Sequence, residues 1–258
     1  MSIITITSDF GNKDHYLAVM KGLLFSQIEN VNIVDISNEI GKFNIPQAAF
    51  VLKHAYKSFP QNTVHLVMVG VYSTETDFLI VKSRDQYFIG LDNGLFSLVF
   101  ENEPIFAYRL TINAPPELLA FPESEIMTKA TAHLLRGGIP EVIAEPIQQL
   151  RPMLGYTPIV TQDLIRATAI HIDSYGNVIT NVSLSLLSQN RRDRGIEISF
   201  RISRERIKVI HRQYSDVHEG EVVAVINSAG LLEIAINQGD ASSLLGINLY
   251  ENISIRFT

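Results

Sequence analysis

The chain has no cysteine. Disulfides, thiolate catalysis and cysteine-ligated zinc are therefore excluded. The redox compartment stays open on that ground, with the cytoplasm as the default. No apolar run reaches the roughly 18 residues of a membrane span. The first eleven residues read as an apolar strand with no basic region before it and no small-residue cleavage site after it, so a secretory signal is not expected. A basic excess is missing too. The 21 Lys and Arg against 27 Asp and Glu leave a net charge of −6, which argues against a general nucleic-acid partner and mildly favours a cationic small molecule. Metal-site spacing is absent. The seven histidines, His15, His54, His65, His133, His171, His211 and His218, show neither H-x-x-x-H nor H-x-H, so no metal is expected. His65, at a strand start, and His133, on a helix, read as structural. There is no G-x-G-x-x-G, no G-x-S-x-G and no P-loop, which removes the usual nicotinamide, serine-hydrolase and nucleoside-triphosphate readings.

What is present is ordinary for a globular protein: 46% hydrophobic and 19% charged residues over 258 positions, enough for one large domain and a smaller one. Strand and helix signals alternate through the first part. Strands are expected at residues 3–7, 32–36, 64–71, 79–82 and 87–91, and helices at 16–28, 45–56 and 126–135, the last stopping at Gly137-Gly138. The valine-rich run at 64–71 has the pattern of a strand buried on both faces. This alternation implies an α/β fold with a mostly parallel sheet covered on both sides. A loop rich in proline and polar residues at 151–163 marks a boundary. Beyond it come short β-type runs at 169–172, 178–182, 196–202, 221–226, 232–236 and 253–257, with one short helical candidate, as in a compact β-barrel. The expected domains are 1–155 and 164–258.

Four segments carry candidate chemistry. Asp9-Phe10-Gly11 with Asp14 follows the first strand, where open α/β sheets bind ligands. A carboxylate there suits a ribose diol; the alternative is that Asp9 or Asp14 caps the next helix. Asp92-Asn93-Gly94 is a strong turn signal, and a structural turn is the better reading. Asp173-Ser174-Tyr175-Gly176-Asn177 places a carboxylate fit for an ammonium beside an amide that can read an adenine edge as donor and acceptor; the alternative is a polar turn. Asn227-Ser228-Ala229-Gly230 and Asn237-Gln238-Gly239 are two turns around a strand, uninformative alone.

Taken in order, a longer set of segments is specific: Thr7-Ser8-Asp9-Phe10-Gly11 with Asp14 and Tyr16, Met20-Lys21-Gly22, Ile33-Val34-Asp35-Ile36, Gln47-Ala48-Ala49-Phe50, Asp92-Asn93-Gly94, Asp173 with Gly176-Asn177 and Thr180-Asn181, and Asn227-Ser228 with Glu233 to Asn237. This resembles the adenosine-forming S-adenosylmethionine hydrolases, or SAM hydroxide adenosyltransferases, relatives of the fluorinase and chlorinase. The resemblance implies a Rossmann-like domain, a carboxy-terminal β-barrel and a homotrimer with sites between subunits. It also implies S-adenosylmethionine as substrate or ligand, no separate cofactor, and in-line displacement at C5′. By the same resemblance Asp9 binds the ribose hydroxyls, Asp14, Tyr16 and Asp173 belong to the ligand site, with Asp14 and Asp173 at the methionine end, Asn177 contacts adenine, and Ser228 falls in the segment holding the methionine carboxylate.

The resemblance breaks at the water-activating Asp, Arg and His. Where the family has Asp-Pro-Gly-Val-Gly and then Arg, this chain runs from Val69 to Asp77, with Gly70 or Tyr72 at the Asp position and no Arg before Arg84. Where the family has Thr-Phe-His-Gly-Arg-Asp, it has Ala120-Phe121-Pro122-Glu123-Ser124-Glu125, with Pro122 for the His. Tyr72 invites comparison with the halogenases, but Glu123 would stand at the halide-binding serine, and a carboxylate repels a halide. Three readings follow: hydrolysis with Tyr72, Glu123 or Glu125 orienting water (Glu75 being a further possibility), binding without turnover, or a structural trimer.

Overall fold

The computed structural model describes residues 2–70, 76–118 and 120–258. It divides into two units, Met1–Leu154 and Gly155–Thr258, each with its own core. No helix among the described residues is long and apolar enough to cross a membrane.

The first unit holds strands β1 (Ser2–Ser8), β2 (Val31–Ser37), β3 (Val64–Met68), β4 (Phe78–Ser83), β5 (Gln86–Leu91), β6 (Phe106–Leu110) and β7 (Ala144–Ile147), and helices α1 (Tyr16–Gln27), α2 (Ile45–Ala55), α3 (Leu95–Val99) and α4 (Glu123–Leu135). The sheet order is β2-β1-β3-β5-β4-β6-β7. The β1–β2, β1–β3 and β3–β5 pairs are parallel and the remaining three antiparallel, so five of the seven strands run one way. Alternation in β3 assigns its faces. Leu66 and Met68 pack with Leu17, Met20 and Leu24 of α1 and Met127 and Ala130 of α4. Val67 joins Ala48, Ala49 and Leu52 of α2 on the opposite face. Helices thus cover both sides, which is why β3 is apolar at nearly every position.

The structure revises several expected elements. The runs expected at 79–82 and 87–91 form one hairpin, β4–β5, through Arg84 and Asp85, both at positive φ (50° and 58°). A two-residue connection is too short for a crossover, so the strands must be antiparallel. Strand β3 ends at Met68, just before Gly70 turns at φ 71°. Helix α4 begins at Glu123 rather than 126, with Pro122 at its N-cap making no side-chain bond. Strands β6 and β7 and helix α3 were not expected.

The second unit holds β8 (Ile159–Val160), β9 (Leu164–Ile172), β10 (Val178–Ser183), β11 (Ile196–Ser199), β12 (Arg206–Ile207), β13 (Ile210–His211), β14 (Val222–Ile226), β15 (Leu231–Ile236) and β16 (Asn252–Phe257), with two short helices, α5 (Leu184–Arg191) and α6 (Ala241–Leu245), where one was expected. The strands run β12-β11-β16-β9-β10-β15-β14-β13, with β8 on β9, in a nearly closed barrel. Its interior is filled by alternate residues such as Ile165, Ala167 and Ala169 of β9 and Ile253, Ile255 and Phe257 of β16.

Candidate functional site

In the first unit the chain leaves β1 for β2 on one side and returns to β3 on the other, the switch point where open α/β sheets accept ligands. Asp9 sits just past β1 at that point. Its Oδ2 accepts the backbone N–H of Phe43 at 2.9 Å and of Gly70 at 3.1 Å, while its own N–H donates to the Met68 carbonyl at 3.2 Å. Oδ1 takes no hydrogen bond among the described residues. The neighbouring Ser8 hydroxyl donates to Asn38 Oδ1 at 2.8 Å and Gly11 N–H to the Asn38 carbonyl at 2.8 Å, which ties the loops after β1 and β2 together. The capping alternative fails: His15 is the N-cap of α1 and contributes no side-chain bond. Asp14 is exposed and engages nothing among the described residues.

Aromatic packing joins this loop to the start of α4. Phe10, Tyr16 and Phe121 lie with ring centroids 5.3–6.0 Å apart, and Tyr16 remains 42% exposed. Two residues after Phe121, Glu123 is only 3% exposed, and its Oε2 has no hydrogen-bond partner among the described residues. Burial pushes the Glu123 carboxyl up to about 7, its own backbone N–H opposes that rise, and the charge of Asp9 adds to it. Glu125 differs: it pairs with Lys129 one turn on, at 2.5 Å. Tyr72 lies outside the described residues. The structure therefore brings Asp9, Tyr16 and Glu123 into one neighbourhood and leaves Asp14 in solvent.

Asp92-Asn93-Gly94 is structural. Asn93 donates to the Val69 carbonyl at 2.9 Å and accepts from Leu95 N–H, while Asp92 accepts the Arg151 N–H at 2.9 Å. His65 is also structural: its Nδ1 lies 2.7 Å from Thr5 Oγ1 and its ring stacks on Phe88 at 4.6 Å.

In the second unit Asp173 organises the β9–β10 hairpin. Its Oδ1 accepts the N–H groups of Tyr175 and Asn177, each at 2.9 Å, and its Oδ2 accepts the Asn177 side-chain amide at 3.0 Å. The Asn177 side-chain Oδ1 and second amide hydrogen take no part in this network, while its backbone carbonyl accepts the Asp173 N–H at 3.1 Å. This turn lines an open cavity of about 680 Å³ together with Tyr214, Asn237, Gln238 and Asp240. The polar-turn reading and the ligand reading thus describe the same residues. Ser228 is exposed at the tip of the β14–β15 hairpin. Behind that tip stands Glu233, 3% exposed, accepting from Tyr214 Oη at 2.7 Å and Asn227 Nδ2 at 3.0 Å. Glu233, an acidic residue inside the apolar run of β15, gave a signal in the sequence but does not line this cavity. Tyr214, on an irregular segment, gave none. Among the described residues no group of three His, Cys, Asp or Glu is arranged to hold a metal.

Comparison with known proteins matches residues 4–144 to the SAM hydroxide adenosyltransferase N-terminal domain and residues 167–254 to the C-terminal domain of the same family. The chain belongs to the SAM hydroxide adenosyltransferase family. The (R)-S-adenosyl-L-methionine hydrolase of Methanocaldococcus jannaschii is 28% identical over 99% of this chain and 96% of its own length. That of Thermus thermophilus is 29% identical over 96% of both. The fluorinase of Actinopolyspora mzabensis is 24% identical over 99% of this chain and 97% of its own. An uncharacterised conserved protein from Thermotoga maritima has the same architecture, with a TM-score of 0.88 at 28% identity, covering 98% of this chain and 99% of its own.

In this chain, the described parts of both segments expected to depart from the family pattern adjoin Asp9. One begins at Gly70, whose N–H holds the Asp9 carboxylate. The other is the Phe121-Pro122-Glu123 entry to α4, with Phe121 against Phe10 at 5.8 Å.

Proposed function

We propose that this chain hydrolyses S-adenosyl-L-methionine to adenosine and L-methionine, by in-line attack of water at C5′ of the nucleoside with sulfur leaving as a thioether. The observation that carries the reading is the state of Asp9: one carboxylate oxygen is anchored by two backbone N–H groups and the other takes no hydrogen bond among the described residues, at the switch point of the sheet. Adjacent ribose hydroxyls are two parallel donors, and a carboxylate fixed in this way receives them without first losing its own freedom. Asp173 supplies negative charge for the methionine ammonium, Asn177 its unused amide groups for adenine, and Ser228 a hydroxyl for the methionine carboxylate. Asp14 and Tyr16 complete the set. Because sulfonium is already a good leaving group, the chain's work is to hold C5′, sulfur and water in line, and positioning of that kind supplies much of a displacement rate. No further cofactor is required. A homotrimer with its sites at subunit interfaces and a cytoplasmic location complete the proposal, to be tested by sedimentation and fractionation.

The second reading, binding without turnover, is favoured by one observation: Gly70 or Tyr72, and Pro122, stand where the family's water-activating Asp and His are expected. Incubation with S-adenosylmethionine, following adenosine and methionine by chromatography with parallel calorimetry, separates the two. Equimolar products support hydrolysis; tight binding without products leaves a sensor.

A further inference from the structure

We propose that Glu123 is the general base of this protein, accepting the proton from the water that attacks C5′; the inference rests on the hydrolysis reading. Of the four groups that sequence alone nominated, Tyr72 and Glu75 lie outside the described residues, and the structure separates the two remaining carboxylates. Glu125 has its charge met by Lys129. Glu123 has no such partner: no ion pair is formed with it among the described residues, and Oε2 is buried without a donor. Leaving a buried acceptor unpaired costs about 1–3 kcal/mol, and native proteins retain such a group where water or a ligand completes it. Its location is fixed relative to Asp9. Phe121, two residues before Glu123, packs edge-on against Phe10, the residue after Asp9, and the Asp9 charge is felt at the Glu123 carboxyl. A nucleoside held through its ribose by Asp9 therefore presents its 5′ carbon in the neighbourhood of Glu123.

The step balances without a co-reactant. The water oxygen bonds to C5′ as the C5′–S bond breaks, and the bonding pair leaves with sulfur, turning the sulfonium cation into neutral methionine thioether. One water proton passes to the Glu123 carboxylate and is then released to solvent. The net reaction converts cationic S-adenosylmethionine and water into adenosine, methionine and a proton. Among the described residues the charge felt at Glu123 is that of Asp9, from the loop after β1; on its own helix Glu125 and Lys129 pair with each other. A bound sulfonium favours the ionised base.

The test is the pH dependence of turnover in the wild type and in Glu123→Gln and Glu123→Ala. In the wild type, kcat/KM should rise through pH about 7 to a plateau, and the limb in kcat should lie at lower pH, since kcat reports the complex with the cation bound. Glu123→Gln should lose about 10²–10⁴-fold in kcat and lose the limb, while still binding S-adenosylmethionine by calorimetry. Formate should restore part of the activity of Glu123→Ala. A wild-type profile flat between pH 6 and 8, or a Gln variant within about threefold of wild type, overturns the assignment while hydrolysis stands. Binding without products in the wild type overturns the hydrolysis reading itself, and the base with it.

Discussion

Asp9, in the loop after β1, and Glu123, at the start of α4, are electrostatically coupled: the Asp9 carboxylate adds to burial in raising the Glu123 carboxyl to about 7. Replacing Asp9 by Asn keeps an oxygen for the Phe43 and Gly70 N–H groups but removes the charge. The Glu123 midpoint, followed by carbon-detected NMR, should then fall toward the ordinary carboxylate range without reaching it, because burial is the larger cause. An unchanged midpoint would show that the two groups do not sense one another.

Asp9→Ala should abolish nucleoside binding measured by calorimetry, while the thermal melt remains cooperative. The variant removes both the ribose acceptor and the acceptor of two backbone donors, so a stability loss of about 1–3 kcal/mol accompanies it. Wild-type affinity for S-adenosylmethionine in this variant would remove Asp9 from the site.

Two buried groups give opposite pH slopes to stability. Glu123 has its folded value raised to about 7, so the folded state holds a proton that the unfolded state releases above the ordinary carboxylate range. Stability from this group is present at low pH and is lost as pH rises through 7, by about 3 kcal/mol. Glu123→Gln should accordingly melt higher than wild type at pH 8 and close to it at pH 5. Burial lowers His65 to about 4, so the unfolded state binds the proton first as pH falls below 6.5. Stability from His65 is lost between pH 6.5 and 4, again by about 3 kcal/mol. His65→Asn, which retains a partner for Thr5, should show a shallower fall in Tm over that range; an equally steep fall would place the acid sensitivity elsewhere.

Gly176→Ala should destabilise the barrel by about 2 kcal/mol or more in denaturant titration. Position 176 has φ 81°, and an added Cβ would lie 2.1 Å from Asp240 Oδ1, the side chain that caps α6. Strain at positive φ and displacement of the cap act together. A variant as stable as wild type would show that the hairpin and α6 move apart at little cost.

Glu233→Gln should cost about 1–3 kcal/mol, because both bonds to the buried carboxylate lose their charge assistance and the Tyr214 hydroxyl must switch from donating to accepting if the amide oxygen is to serve Asn227. Loss of NMR order at Ser228, on the turn that Asn227 anchors, is the accompanying signature. Unchanged stability and dynamics would show that Tyr214 and Asn227 are held by other contacts.

The elements legible in the sequence are those whose signals are local. The apolar runs of β1 and β3 announce strands buried on both sides, Asn44 and Pro46 mark the start of α2, and Gly137 marks the end of α4. Asp9 could be nominated from sequence as well, because the end of a first α/β strand is a privileged position whatever surrounds it. Strands β6 and β7 were not: they are short and partly exposed, with Pro146 inside β7, so their pattern carries little periodicity. The β4–β5 pairing needed the backbone of Arg84 and Asp85, two residues without the usual turn signature. Above all, the distinction between Glu123 and Glu125 was invisible. They are two residues apart on one helix, where a rotation of about 200° sends one side chain inward and the other toward Lys129. Periodicity reports which face of an element is buried; only the tertiary structure decides which carboxylate lies against another charge and which is left without a partner.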